Sequence, residues 1–185
     1  KICSKLILVE PQPEYVKILK KKFSKISKVV ILPYGISSKK KTLKLKINTS
    51  NPLISTFSDH WDKGRFAESK WDKVINVDTI TLDQLINDYG HPKYIKIDVE
   101  GFELEVLKGL TKKTGIISFE FTSEFFKDAV KCLDHLNLLG YQNFNYSEGE
   151  KRKFNFDWTS KDKILEEIEN KVKTNNYLWG DIYAQ

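Results

Sequence analysis

Short apolar runs alternate with amphipathic stretches along the whole chain of 185 residues. "KLILVEP" (5–11) is apolar until it ends in an acid and a proline, which predicts a buried strand. "PEYVKILKKKFSKI" puts Pro13 in a first helical turn and Tyr15, Leu19, Phe23 and Ile26 on one face. "KVVILP" (28–33) is again strand-like, so the opening third reads strand, helix, strand at the spacing of a parallel crossover. "KTLKLKIN" (41–48) alternates strictly and predicts a half-exposed strand. Residues 49–70 show neither period and hold Pro52 and Gly64; so long an irregular segment in a compact domain suggests function or disorder.

The alternation then resumes. "WDKVINVDTI" is a strand, and "TLDQLINDYG" a short helix with Thr81 as N-cap, Gln84 closing a capping box, and Gly90 and Pro92 ending it. Residues 93–98 form the next strand and 102–110 a helix; "GIISFEF" (115–121) is another strand. "SEFFKDAVKCLDHLNLLG" is an amphipathic helix capped by Ser123 and stopped by Gly140. "YQNFNYS" and "KFNFDW" read as strands, "SKDKILEEIENKVK" as a helix and "YLWGDIYAQ" as a terminal strand. Repeated strand–helix units with apolar strands mean an α/β protein with a parallel sheet covered on both faces, in one domain spanning 1–185.

Composition narrows the functional classes. No apolar run approaches the roughly 18 residues of a membrane span, and no secretory leader pattern is present, so a soluble, cytoplasmic protein is expected. Cys3 and Cys132 are too few for a disulfide framework and read as reduced thiols. The sequence has no methionine, which suggests that it starts inside a longer polypeptide. Its net charge of +6 is uneven: residues 1–50 hold thirteen lysines against Glu10 and Glu14, a local +11, leaving −5 for the remainder. Arg65 and Arg152 are the only arginines, so the planar forks that grip phosphate and guanine are scarce and nucleic-acid binding is disfavoured.

Charge at the strand ends is more informative. In open α/β sheets ligands bind beyond the carboxyl ends of the strands, and a carboxylate placed there needs a partner. Three strands carry such acids: Glu10, then Asp98 with Glu100, then Glu120. An acid ending a second strand commonly accepts hydrogen bonds from a ribose, about 20 residues after a glycine-rich loop. No glycine precedes Gly35, so that loop is absent from this chain. In "DVEG", alternation puts Asp98 and Glu100 on one side and Gly101 permits a sharp turn. Phe102, Val106 and Leu107 seat the following helix with Glu103 and Glu105 facing outward; Glu100 is alternatively a simple N-cap acid.

"YIKIDVEGFELEVLKG" (94–109) resembles the signature of the FkbM-type S-adenosylmethionine-dependent methyltransferases. "LILVEPQPEYVKILKK" is similar to their second strand and helix, "ILPYGISSKKKTLKLKI" to their third strand and following hairpin, and "VDTITLDQLI", "IISFEF" and "GYQNF" to later elements. The resemblance implies a class I, Rossmann-like fold: a mostly parallel seven-stranded sheet with helices on both faces. Here the first strand and glycine loop are missing from the chain, so the domain is expected to be N-terminally incomplete, with poor cofactor binding. The implied reaction is methyl transfer from S-adenosylmethionine to a hydroxyl of a sugar, glycan or polyketide-like small molecule. Glu10 and Pro11 would hold the ribose, Tyr34 and Gly35 would lie beside the adenine, and Asp98 and Glu100 would sit near the sulfonium and the acceptor.

Within that reading Asp98 is the first choice to orient or deprotonate the acceptor hydroxyl. A divalent metal held by Asp98 and Glu120 is an alternative way to acidify it. His60, in the irregular segment expected to overhang the strand ends, is a candidate base; His91 and His135 are not. Phe144, Tyr146, Phe154, Phe156 and Trp158 recur at period two, as a stacking wall or as the inner face of a hairpin. The competing readings are an NAD-dependent or nucleotide-sugar oxidoreductase, which lacks a suitably placed Tyr-x-x-x-Lys pair here, and a catalytically inactive binding module. The strand at 41–48 offers an edge through which a homodimer could form.

Overall fold

The structure, a computed structural model, describes residues 4–63, 66–151, 153–154 and 156–185. Cys3, Arg65 and Arg152 lie outside the described residues. The chain begins with β1 (Leu6–Val9), α1 (Pro13–Lys22) and β2 (Val29–Leu32), in which β1 and β2 pair in parallel as the crossover spacing requires. Next come β3 (Gly35–Ile36), β4 (Lys41–Ile47) and β5 (Lys73–Ile80), ordered β3-β5-β4 with β4 antiparallel to β5. After α2 (Leu82–Tyr89), the last part comprises β6 (Tyr94–Ile97), α3 (Glu103–Leu107), β7 (Ile116–Thr122), α4 (Phe126–Leu138), β8 (Phe144–Glu148), α5 (Lys161–Val172) and β9 (Trp179–Ala184). Its strands run in the order β6-β7-β9-β8, with β6 and β7 parallel and β9 antiparallel to both of its neighbours.

The fold is therefore mixed α/β, but among the described residues the strands form sheets of two, three and four strands, and the expected single seven-stranded sheet is not shown. Among the described residues β1 pairs only with β2, and β6 only with β7, so no ladder joins the first sheet to the last. The exposure of β1 and β2 follows: Leu6 is 41% exposed and the other seven residues are half-buried, although the apolar run predicted full burial. Among the described residues, the helices that pack on the four-stranded sheet share one core with one of its faces. Leucines and isoleucines of α3, α4 and α5 join one core with Ile97, Ile117, Phe119, Phe144, Tyr146 and Ile182, all from one sheet face. The alternate positions, Tyr94, Lys96, Ser118, Glu120 and Asp181, make the other face too polar to bury against a helix.

Local signals held unevenly. Thr81 caps α2, its hydroxyl accepting from the Gln84 N–H at 3.1 Å, and Gly90 ends it at φ 92°. Ser123 does not cap α4; it opens a 3-10 turn, and its hydroxyl donates instead to the Asn176 carbonyl at 2.5 Å. The expected strand "KFNFDW" (153–158) includes Asn155, which lies outside the described residues, and its described residues belong to no strand. An isolated bridge joins the following Thr159 to Phe144, and Phe154 packs edge-on against Trp158 and Tyr183. Phe144 and Tyr146 are fully buried in the core and so are not part of an open stacking wall, whereas Phe154 is 40% exposed. No helix is long and apolar enough to cross a membrane, among the described residues.

The core sets a testable energy. Phe119 is fully buried at the centre of the main cluster, so Phe119→Ala should lower the unfolding free energy by about 3–5 kcal/mol, read from urea denaturation.

Candidate functional site

The site forms where β6 ends. The register of Ile97 with Phe119 brings Asp98 level with Glu120, and Glu120 pairs in turn with Asp181 of β9. Three acids thus stand in one row across three strands. Lys96, one step back on β6, reaches Asp98 at 3.2 Å and Asp181 at 2.8 Å. Burial opposes its charge, but hydrogen bonds and attraction from Asp181 and Asp98 hold its pKa above the usual lysine range.

Beyond Asp98 the backbone reverses sharply. Glu100 takes φ 55°, the only described non-glycine residue with a positive φ, and Gly101 follows at φ 85°. This turn aims Glu100 back toward the row: oxygens of Asp98, Glu100 and Glu120 lie within 4.8 Å of one another. Glu103 holds the turn from below. Its carboxylate accepts from the Gly101 N–H at 3.1 Å, and the N–H groups of Val99 and of Glu103 itself also stabilise its charge. The expectation that Glu103 faces outward is corrected: the side chain is buried, because the reversed backbone leaves N–H donors that need an acceptor. Amphipathic spacing within α3 carries no sign of this; a carboxylate two residues after a strand-end glycine is the signal that could have found it.

Residues 49–63, the irregular segment, strap across this turn. Thr56 donates its hydroxyl to the Glu100 carbonyl at 2.6 Å and accepts from the Ser58 N–H at 2.8 Å. Trp61, 3% exposed, stacks on Phe125 with ring centroids 5.3 Å apart, and its ring covers Gly101. At the far end Gln12 donates its side-chain amide to the Pro52 carbonyl, so one segment touches both the end of β1 and the end of β6. Between strap and sheet lies a cleft of about 290 Å³, walled by Phe57, Trp61, Phe102 and Phe125, with Glu103, Glu120 and Thr122 at its polar side.

Burial dominates the protonation of the cleft acids. It raises Glu120 to about 8, with repulsion from Asp98 and Glu103 adding to it, and raises Glu103 to about 7 despite its backbone donors. Glu10, at the end of β1, is half-buried and also raised by burial, opposed by the Gln12 N–H that it accepts at 2.7 Å. Pro11 is half-buried beside it. Tyr34 is half-buried after β2, while Gly35 is buried with the Phe57 ring directly over its Cα. His60 is exposed at the cleft mouth, where its N–H donates to the Ser58 hydroxyl at 3.1 Å. Asp98, Glu100 and Glu120 are therefore brought together, His60 and Glu120 line the same cleft, and Glu10, Pro11, Tyr34 and Gly35 group at the ends of β1 and β2.

The family model of the methyltransferase FkbM domain matches residues 2–172, nearly the whole chain and including every element of this site. The chain belongs to the FkbM methyltransferase domain family. A structural likeness is found to the crystal structure of methyltransferase FkbM from Methylobacillus flagellatus KT, at 12% identity and a TM-score of 0.49. That match covers 98% of this chain and 36% of the other, so the chain spans about a third of that protein's length. No curated protein matches the chain. In this FkbM domain the segment 94–109 is the strand, reversed turn and helix that carry the acidic cluster.

Two outcomes test the geometry. A Cβ on Gly101 would lie 2.5 Å from Trp61 Cε3 at a φ that L residues rarely adopt, so Gly101→Ala should cost about 1–3 kcal/mol and red-shift tryptophan fluorescence as Trp61 is displaced. For Glu103 and Glu120, folded pKa values above the unfolded one favour the native state below about pH 4.5, and this contribution is lost as pH rises toward 7–8. The melting temperature should fall between pH 5 and 9, and fall less in Glu120→Gln, measured by calorimetry.

Proposed function

We propose that this domain transfers a methyl group from S-adenosylmethionine to a hydroxyl of a small-molecule or glycan acceptor bound in the aromatic-walled cleft. The observation that carries the reading is the row of acids where β6 and β7 end, of which Glu120 lines that cleft, in a chain of the FkbM family. The residues at the end of β1 suit the cofactor's nucleoside. Glu10 is a half-buried carboxylate with a single backbone donor from Gln12, which leaves acceptor capacity for the paired hydroxyls of a ribose. Pro11 beside it and Tyr34 after β2 would flank the same group; Gly35, under Phe57, would contribute through its backbone. When bound, the cofactor would supply an electrophilic methyl on sulfur.

The remaining work falls to the chain. Asp98, held by Lys96, orients the acceptor hydroxyl, and Glu120, whose burial raises its proton affinity, takes the proton as the oxygen becomes nucleophilic. Glu103 fixes the turn that presents Asp98 and Glu100. The strap, closed by Trp61, excludes water, and His60 at the cleft mouth is placed to relay a proton outward. An oxidoreductase is not favoured, because the family match is to a methyltransferase domain.

Isothermal calorimetry tests this reading. S-adenosylmethionine should bind, though weakly in a chain with no glycine before Gly35, and NADH should not; Glu10→Ala should weaken cofactor binding further, by about tenfold or more, the loss of a charge-assisted hydrogen bond. NADH binding in place of S-adenosylmethionine would overturn it.

A further inference from the structure

We propose that the outer face of α1 and the turn that follows it dock on a bilayer rich in anionic lipid headgroups. Lys17, Lys20, Lys21, Lys22, Lys25 and Lys28 are all exposed, six cations between positions 17 and 28. Glu14 is the only acid from residue 12 to residue 58, and Lys73 of β5 neutralises it at 2.9 Å. Among the described residues Lys20, Lys21, Lys25 and Lys28 form no ion pair, so their charge is left for an external partner. A second observation is apolar. Ile18 shares the outer face of α1 with Lys21 and Lys22, one turn further on, and is 57% exposed, while Val16, Leu19 and Phe23 seat the helix from its other side. Ile26, in the turn between Lys25 and Lys28, is 48% exposed. Two branched aliphatic side chains thus stand in water inside a strongly basic segment.

The combination of charge and apolar surface selects the partner. Nucleic acid is gripped best by planar arginine forks, of which this segment has none, and a phosphate backbone offers nothing to an isoleucine. Anionic headgroups need only diffuse positive charge, which a lysine supplies as a point charge on a long apolar stem, and the acyl chains beneath them accept an aliphatic side chain. The core already takes Val16, so attachment is electrostatic first, with Ile18 and Ile26 as shallow anchors rather than a whole apolar helix face. The surface is separate from the acidic cleft, whose described lining includes no lysine or arginine and no residue of α1. Docking on lipid therefore does not depend on the methyltransferase reading.

Co-sedimentation of the 185-residue chain with lipid vesicles tests this surface. Vesicles of equal parts phosphatidylglycerol and phosphatidylcholine should bind the chain, pure phosphatidylcholine should not, and added salt should release it. Each lysine near such a surface contributes about fivefold, so the triple change Lys21→Gln, Lys22→Gln, Lys25→Gln should weaken binding by at least about tenfold. The triple change Lys112→Gln, Lys127→Gln, Lys163→Gln removes the same charge from exposed sites before β7 and on α4 and α5, and should alter binding little. Ile18→Ser with Ile26→Ser should weaken it several-fold at unchanged net charge. An unchanged circular dichroism spectrum identifies the variants that remain folded, and all of these positions are exposed enough to tolerate the change. Absence of vesicle binding, equal loss in the two lysine variants, undiminished binding by the isoleucine variant, or preference for duplex DNA over the vesicles at equal ionic strength would each overturn the proposal.

Discussion

A buried carboxylate under a reversed turn holds the site together. Glu103 receives the backbone N–H groups that the turn after β6 cannot pair within a ladder, and without that acceptor the left-handed conformation of Glu100 would lose one of its two supports. Positive φ at a residue with a side chain costs on the order of 1 kcal/mol and persists only where the surroundings impose it. Here they impose it from both sides: Glu103 from within, and Thr56 from the strap, through its bond to the Glu100 carbonyl. The position of the acids is thus a property of this small polar assembly more than of the strands themselves.

The strap extends that control across the molecule. Its start is fastened to Gln12 next to Glu10, and its end is wedged by Trp61 between Gly101 and Phe125. Between β1 and β6 no ladder runs among the described residues, so this segment links the two regions that the cofactor and the acceptor are proposed to occupy. An irregular stretch that looked merely aperiodic is where polar anchors and one large aromatic side chain replace secondary structure as the positioning device.

Much of the architecture was legible because it depends on local rules. Alternation located β4, the Thr81 cap and Gly90 bounded α2, and the acid-tipped strand at 93–98 pointed to the cluster. What escaped depends on partners distant in sequence. Glu103 reads as an outward acid until the turn above it is known, and the apolar run at 6–9 reads as fully buried although burial requires neighbours on both edges. Residues 153–158 read as a strand, but pairing requires a free ladder edge with matching register, and among the described residues of this region Thr159, just beyond, forms an isolated bridge.

The cleft also differs in sign from the rest of the protein. Asp59, Glu103, Glu105, Glu120 and Asp128 line it and, among the described residues, no lysine or arginine does, while the chain as a whole carries +6. Such a cavity gives a phosphorylated or carboxylated acceptor no cationic partner, whereas the lysine-rich opening third would gather such molecules as loosely held counter-ions. Molecules without negative charge enter most readily, so discrimination among solutes begins with the potential at the entrance, before any contact with an individual side chain.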